Sequence, residues 1–252
     1  MRSGTGTVRE SMASIQQATC RNRLLTGMHP ADFGLLPLER VSLPIRQTLV
    51  LPQTSITHLV FVERGLASLV TASSVGQVEV GMIGREGLVG AAPVLLGADV
   101  TPFACFMQVE GDGCRIAVPD LLAAVGRSPS LRELLLRYAQ FVLVQTAYTA
   151  FSNASFTIEV RLARWLLMCH DRVEGDEVGV THEFLSTMLG VRRPGVTVAV
   201  QILEGQGLIR ATRGRIAVLN RHGLIALADG SYGLAEAEYE RLLGHGRTAT
   251  AA

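Results

Sequence analysis

Short apolar runs separated by turn residues give way, about halfway along the chain, to long stretches with helical periodicity. Between about residues 33 and 118, runs rich in β-branched and aromatic residues recur roughly every ten residues, which predicts an all-β sandwich or roll. The residues of Ser73–Gly76 are typical of a hairpin turn. The predicted strands are Gln47–Leu51, His58–Glu63, Ala67–Thr71, Val78–Ile83, Cys105–Val109 and Cys114–Val118.

The period changes after Pro119, and a long helix is predicted over about residues 130–153. Ser130 and Glu133 have the spacing of a capping box at its start. Two neighbouring rows of apolar residues run along this helix, so two surfaces are needed to cover it. We expect one surface to be the same helix of a second copy, although both rows could pack within one chain. The predicted dimer interface is Leu134, Tyr138, Phe141, Val142, Gln145 and Tyr148.

Two short helices with a tight turn follow, over about Thr181–Leu189 and Arg193–Gln206. Their apolar residues recur at spacings that bury one face of each helix, and Gly190 lies in the turn. This pattern predicts a helix-turn-helix, whose second helix enters the major groove of DNA. Two short strands come next, Leu208–Ala211 and Arg215–Leu219, and they are predicted to form a wing.

Charge supports a local site for nucleic acid rather than a polybasic chain. The formal net charge is only +1, and charged residues make up 18% of the sequence. Residues 180–222 hold six arginines against Glu183 and Glu204, a local net charge of +4. A basic patch confined to one module is typical of phosphate contact. The alternative is a solvated surface whose arginines reflect codon usage, because every basic residue in the chain is Arg.

Other chemistries find little support in the sequence. The four cysteines, Cys20, Cys105, Cys114 and Cys169, are far apart and form no CxxC pair. We therefore expect reduced, buried thiols, with no disulfide framework, no metal site and no cofactor. Motifs for nucleophilic, metal-dependent or phosphate-transfer catalysis are missing, so no enzyme is expected. Neither a signal peptide nor a long apolar run is found, and we expect a cytoplasmic protein without membrane contact.

The order of these elements resembles the Crp/Fnr transcription regulators over about residues 33–222. The most specific match is the run Thr181, Leu189-Gly190-Val191, Arg193, Val196, Leu203-Glu204 and Gly207-Leu208-Ile209. The resemblance implies an α+β chain: an N-terminal jelly-roll-like β-roll (a double-stranded β-helix), a long dimerisation helix and a C-terminal winged helix-turn-helix. The implied domains are an arm at 1–30, the roll at 31–128, the dimer helix and hinge at 129–155, and the DNA-binding domain at 156–252.

The family's DNA contacts carry over only in part. Thr181 matches the phosphate-contacting Thr, and Arg193 matches the Arg that reads guanine. Where cAMP-responsive members carry a base-reading Glu this chain has Pro194, and where they carry a second Arg it has Val198. The expected DNA-binding residues are Thr181, Arg192, Arg193, Pro194, Thr197, Gln201, Arg213 and Arg215.

The family's effector cassette is also altered here. Gly84, Arg85, Glu86 and Gly87 stand where relatives bind a cyclic nucleotide, but Arg85 replaces the ribose-binding Glu. Thr101-Pro102 replaces the Arg-Ser pair for the phosphate. We expect no useful cyclic-nucleotide binding, because a charge-assisted bidentate contact is lost. Another small effector, or a roll that has lost its ligand, stays open.

These observations predict a homodimeric regulator that binds a pseudo-palindromic operator in double-stranded DNA. RNA polymerase and an unidentified small-molecule effector are further expected partners. The alternative function is a small-molecule-binding adaptor or enzyme on a β-roll, whose C-terminal module mediates protein contacts.

Overall fold

The computed structural model describes residues 15–74 and 76–244. The first half of the predicted arm, Val75 of the predicted hairpin turn and the C-terminal tail lie outside the described residues. The strands are β1 (Glu39–Leu43), β2 (Thr48–Val50), β3 (His58–Ser73), β4 (Gly76–Ile83), β5 (Leu88–Val89), β6 (Ala104–Ala117), β7 (Glu177–Gly179), β8 (Ile209–Thr212) and β9 (Arg215–Val218). The helices are α1 (Arg23–Gly27), α2 (Pro30–Phe33), α3 (Ala91–Leu95), α4 (Val118–Arg127), α5 (Pro129–Ser155), α6 (Ile158–His170), α7 (His182–Leu189), α8 (Arg193–Gly205), α9 (Arg221–Leu227) and α10 (Leu234–Leu243), with a short 3₁₀ turn at Gln17–Thr19.

The predicted α+β fold is confirmed, with an antiparallel β-roll before a helical C-terminal part. Strands pair in the order β1-β6-β3-β4, while β2 adds to β6 and β5 adds to β3. The sequence predicted four short strands where the structure has the two long strands β3 and β6. Both continue through a bend, because Gly65 has a φ of +89° and Gly111 lets the backbone of Arg64 approach closely. The pairing register of β3 and β6 shifts around this bend, as at a β-bulge.

Helix α5 begins one residue before the predicted capping box. Ser128 is its N-cap and accepts a hydrogen bond from the Leu131 amide at 3.1 Å. The Ser130 hydroxyl instead donates to Asp32 at 2.7 Å, and Glu133 pairs with Arg137 one turn later. The predicted Ser130–Glu133 box is therefore wrong, because tertiary and intrahelical partners take both side chains.

The hydrophobic core has two parts that meet at the roll. The first joins the roll to α1, to one face of α5 and to the last turns of α10. The second is the core of the helix-turn-helix module, and it also includes Leu66, Val70 and Met82 from β3 and β4. The helix-turn-helix module is therefore packed on the roll in this structure, on the side of the β3–β4 hairpin.

Candidate nucleic-acid interface

The helix-turn-helix is built from local signals that the sequence carries. The Thr181 hydroxyl caps α7 by accepting from the Phe184 amide at 3.1 Å. Gly190 ends α7 with a φ of +61°, a left-handed conformation that is costly for a residue with a Cβ. Arg192 precedes α8 as its N-cap, and Pro194 lies in the first turn. Backbone N–H groups there have no partner within the helix, so proline, which lacks one, costs no hydrogen bond.

One face of α8 is buried and the other is open to solvent. Val196, Ala199, Val200 and Leu203 are almost fully buried against α6, α7 and the wing. The opposite face exposes Arg193, Pro194, Val198, Gln201 and Ile202. The helix that the sequence assigned to the groove therefore presents its N-terminal, arginine-bearing end outward.

The arginines around this face are free to take a new partner. Arg192, Arg193, Arg210 and Arg213 are exposed, and none of them has an ion-pair partner in the part of the chain that the structure describes. Exposed guanidinium groups without local carboxylates are the donors that phosphates and guanine bases accept from. These four side chains therefore place positive charge, unpaired within the described residues, at the start of α8 and on the wing.

Two other arginines of the charge count are already engaged. Arg221 is half-buried and binds Asp171 at 2.5 Å and the Tyr232 hydroxyl at 2.9 Å. Arg215, in the wing, forms an exposed pair with Glu177 at 3.3 Å, which DNA could displace at little cost. The local charge of +4 therefore overstates what this surface offers, since Arg221 serves the fold.

The wing is a short antiparallel sheet in the order β7-β9-β8. Its tip, Thr212-Arg213-Gly214, turns at Gly214, which has a φ of +76°. The Glu204 carboxylate of α8 accepts a hydrogen bond from the Ala211 amide at 2.9 Å, which holds the wing beside the helix. Arg213 thus lies at the tip of the wing, two residues beyond the point where β8 is bonded to α8.

Thr197 contributes less to this surface than the sequence suggested. Its hydroxyl donates to the Arg193 carbonyl at 3.2 Å and shares a hydrogen bond with His182 Nδ1 at 3.1 Å. The side chain therefore links α8 to α7, and its hydroxyl is occupied. Gln201 is exposed one turn later and has no such internal role among the described contacts.

The roll holds the module through a buried polar contact. The Trp165 indole in α6 donates to the Glu79 carboxylate in β4 at 2.8 Å, and both residues are buried. Burial raises the pKa of Glu79 to about 7, although the hydrogen bond from Trp165 and the charge of Arg164 oppose this shift. An edge-to-face contact between Phe106 and Phe184, at 6.5 Å, completes the junction. No sequence motif indicated this junction.

The cassette at Gly84–Gly87 is filled by the chain itself. The buried Glu86 carboxylate binds Arg172 at 2.8 Å, and its backbone carbonyl accepts from the Tyr239 hydroxyl at 2.9 Å. A Cβ at Gly87 would lie 2.4 Å from the Tyr138 hydroxyl. Burial raises the pKa of Tyr138 and Tyr239, so both hydroxyls stay protonated donors.

Helix α10 covers the same place from outside. Its Tyr239 ring packs edge-on against Phe141 at 4.9 Å, and Arg23 lies 4.6 Å from the ring centre of Tyr239. A cleft of about 390 Å³ is left beside them. Of the four predicted pocket residues, the structure leaves only Arg85 exposed. The part of α10 in closing this place could not be recognised from the sequence, because the contact spans most of the chain.

The predicted dimer face of α5 needs correction. Tyr138, Phe141 and Gln145 are no more than 3% exposed and pack inside their own protomer. Gln145, for example, accepts a hydrogen bond from the Met82 amide at 2.6 Å. Leu134, Val142 and Tyr148 are half-buried beside them. The helix is apolar on most sides, so its periodicity alone did not tell which row faces the roll.

A different strip of α5 is open. Leu136, Leu143 and Phe151 are 41, 53 and 50% exposed, and Gln140, Ala147 and Ala150 lie exposed between them. Leu136, Leu143 and Ala150 are seven residues apart, which is the repeat of a helix that packs along a partner helix. We call these six residues the α5 strip.

Comparisons with known proteins agree with this architecture. Residues 160–227 match the family described as the Crp-like helix-turn-helix domain. FixK2 from Bradyrhizobium japonicum has a TM-score of 0.66 at 16% identity, covering 76% of this chain and 98% of that one. A Crp/Fnr-family regulator from Thermus thermophilus has a TM-score of 0.59 at 21% identity, covering 77% and 100%. No curated protein matches the chain.

A third solved structure has a similar fold, and its name includes a small-molecule signal. The regulator CLP from Xanthomonas campestris, described as responsive to c-di-GMP, has a TM-score of 0.57 at 18% identity, covering 72% of this chain and 93% of that one.

None of the helices in the described residues is long and apolar enough to cross a membrane. With a Crp-like helix-turn-helix at residues 160–227 and the fold of the solved Crp/Fnr regulators, this chain is a DNA-binding transcription regulator.

Proposed function

We propose that the protein binds a pseudo-palindromic operator as a homodimer, with α8 of each protomer in the major groove. The observation that carries this proposal is the cluster of exposed arginines without ion-pair partners among the described residues, around the start of α8 and at the wing. A DNA ligand fits the expected cytoplasmic location, and RNA polymerase is the partner expected of a transcription regulator. No catalytic step is needed for this function.

Within the groove, Arg193 is the residue assigned to read a base. It lies exposed at the first position of α8, where a recognition helix meets base edges. Its guanidinium group fits the O6 and N7 acceptors of guanine. Gln201, two turns later on the same exposed side, fits adenine, and the exposed Val198 methyls fit the thymine methyl.

Phosphate contacts complete the set. Thr181 and Arg192 flank the groove-facing end of α8, and Arg213 and Arg215 lie on the wing. These contacts position the module on the duplex without reading sequence. Pro194 shapes the start of α8 and offers only an apolar surface to the DNA. Thr197 lies between its neighbours and supports α8 through its bond to His182.

We assign the dimer seam to the α5 strip rather than to the face first predicted. The strip contains the three large apolar side chains that α5 exposes, Leu136, Leu143 and Phe151, and a long exposed apolar stripe marks an interface. Helix α5 has 27 residues and therefore extends about 40 Å. A parallel pair of such helices would set two modules apart for half-sites about one helical turn from each other.

The signal that controls DNA binding would pass through the junction between roll and module. Phe156 and Thr157 are extended between α5 and α6 and provide the hinge. The Glu79–Trp165 bond and the Phe106–Phe184 contact hold one orientation about it. An effector that alters the roll shifts the population of that orientation. The filled cassette argues against a cyclic nucleotide as this effector.

The DNA assignment is tested on operator sites selected from random DNA. Arg193→Ala should weaken binding by about 1–3 kcal/mol and relax preference at one base pair per half-site. Arg127→Ala, an exposed arginine at the end of α4, is the matched control and should bind as the wild type does. Unchanged selectivity in Arg193→Ala would show that α8 is not the reading helix.

The seam is tested by sedimentation. Leu143→Asp places a carboxylate in the α5 strip and should yield folded monomers, because the charge would be buried without a partner. Leu122→Asp, on α4 and exposed to a similar degree at 44%, should stay dimeric. Phe141→Asp should instead unfold the protomer, since Phe141 is 3% exposed within it. Dimers of Leu143→Asp would place the interface elsewhere.

A further inference from the structure

Three side chains with metal-ligating atoms meet in the roll, away from the DNA-binding surface. Cys20 precedes α1, Glu63 lies in β3 and Cys114 lies in β6. Their ligand atoms all lie within 4.8 Å of one another, and all three residues are buried. The chain separations among them are long, so no spacing motif could indicate this cluster. From the spacing of the four cysteines along the sequence, we expected no metal site.

The spacing of these atoms suits a single ion. A tetrahedral site with zinc–sulfur bonds of about 2.3 Å and zinc–oxygen bonds of about 2.0 Å places sulfur and oxygen ligands about 3.5 Å apart. The Cys114 Sγ lies 3.8 Å from the Glu63 Oε1. This pair needs a shift of only a few tenths of an ångström to bind one ion. The other ligand pairs, which lie within 4.8 Å, need shifts of at most about 1 Å, which side-chain rotation can supply.

The charges also balance. Two thiolates and one carboxylate around a divalent ion carry a net charge of −1, and burial makes such a charge costly. Without a metal, burial and the charge of Glu63 raise the pKa of both thiols, so both are protonated until an ion displaces the protons. Arg40 is the cation that opposes this shift at both thiols, and its guanidinium group donates to the Thr19 hydroxyl at 3.0 Å. The second oxygen of Glu63 accepts a hydrogen bond from the Arg21 amide, which orients the carboxylate. Arg40 thus neutralises the loaded site, and Arg21 supports its oxygen ligand.

An open side is present for a fourth ligand. A cleft of about 640 Å³ borders the cluster, and Glu63 and Arg40 both line it. Ser42 and Arg64 lie on the same walls. An ion held by three protein ligands keeps one position for water or a small anion, which enters from this side.

We propose that Cys20, Glu63 and Cys114 bind one divalent transition metal ion of the zinc class, with the fourth position open to the cleft. Two thiolates select such ions against Mg²⁺ and Ca²⁺, which prefer oxygen ligands alone. Binding replaces two thiol protons by two metal–sulfur bonds, and no oxidant or reductant is needed.

Metal binding at this site would stabilise the contacts that the residues after Cys20 make with the roll and the helix-turn-helix module. The residues after Cys20 run directly to the roll and the module. The Asn22 amide donates to the Val62 and Gly87 carbonyls, and the exposed Arg21 side chain binds Glu174, just beyond α6. A metal ion that fixes Cys20 against β3 and β6 therefore stabilises this path, beside the filled cassette.

The test uses the reduced full-length protein, stripped with a chelator and titrated anaerobically with Co²⁺. One equivalent should produce the thiolate-to-cobalt charge-transfer absorption and the visible bands of a tetrahedral ion, and Zn²⁺ should displace it. Cys20→Ser should abolish these bands. Glu63→Gln should weaken binding at least about tenfold, because even outer-shell changes cost about 10- to 100-fold. Cys105→Ala, which removes another buried thiol of β6, should titrate as the wild type does.

Three results would overturn the proposal. The first is the absence of a charge-transfer band in the wild type. The second is an unchanged band in Cys20→Ser; circular dichroism checks independently that this variant is folded. The third is iron with acid-labile sulfide in freshly isolated protein, which would mean a cluster rather than one ion. Because metal content and absorption are read without DNA, failure here is separate from failure of the operator assignment.

Discussion

Glu79 is expected to make the stability of this regulator depend on pH near neutrality. Its carboxylate is buried between the roll and α6, and its pKa is raised to about 7 from a usual value of 4.5. A shift of about 2.5 units corresponds to roughly 3 kcal/mol against the ionised form in the folded state. Glu79→Gln keeps the shape of the side chain and an oxygen for the Trp165 indole, but removes the charge.

Proton uptake by Glu79 decides the sign of this dependence. Above pH 7, Glu79 is ionised in both states, and the folded protein bears the full cost of burying the charge. As pH falls from 7 towards 4.5, the folded state binds a proton that the unfolded state does not. The free energy of unfolding should then rise by up to about 1.4 kcal/mol per pH unit from this group and level off below the unfolded pKa. Glu79→Gln should lose this slope and, well above neutral pH, exceed the wild type in stability by up to about 3 kcal/mol.

Trp165 makes the measurement local, because it is the only tryptophan of the chain and donates directly to Glu79. Urea unfolding at several pH values on both sides of neutrality gives the free energies, and native-state fluorescence titration gives the midpoint. The control is Glu110→Gln, which removes an exposed carboxylate from β6 and should retain the wild-type slope. Should Glu79→Gln titrate with the wild-type midpoint, another group would be responsible and the argument from the burial of Glu79 would fail.

Three further outcomes are expected. Arg213→Ala, at the wing tip, should weaken binding to all DNA sequences nearly alike and reduce the slope of log affinity against log salt by about 0.9, measured by titration at several salt concentrations. Gly190→Ala should lower the free energy of unfolding by about 1–2 kcal/mol, because φ is +61° and the new methyl would press on Val78, 3.2 Å away; a denaturation curve equal to the wild type would contradict the cap geometry. Calorimetry with cAMP or cGMP should give no micromolar isotherm, because Tyr239 and the Glu86–Arg172 pair close the cassette, and a clear isotherm would refute the filled-pocket interpretation.

Elements that depend on neighbours in the chain could be read from the sequence. Gly190 in the turn and the apolar spacing of α7 and α8 predicted the helix-turn-helix from local signals alone. The structure adds that Thr181 caps α7 and that Gly190 is left-handed. The wing followed from turn residues and short β-prone runs in the same way. The exposed arginines at the start of α8 were predictable too, because the buried face of an amphipathic helix leaves the other side outward.

What the sequence left undecided rests on contacts between distant residues. Helix α5 is apolar on most sides, so only packing on the roll and α10 shows that Phe141 is core and Leu143 is open. Arg221 counted as DNA-facing charge until Asp171 was found beside it. Cys20 and Cys114 likewise became a candidate site only when β3 and β6 brought Glu63 between two distant parts of the chain. A local sequence pattern shows which backbone conformation is preferred and which side of an element is apolar. The tertiary fold alone decides what each apolar side packs against.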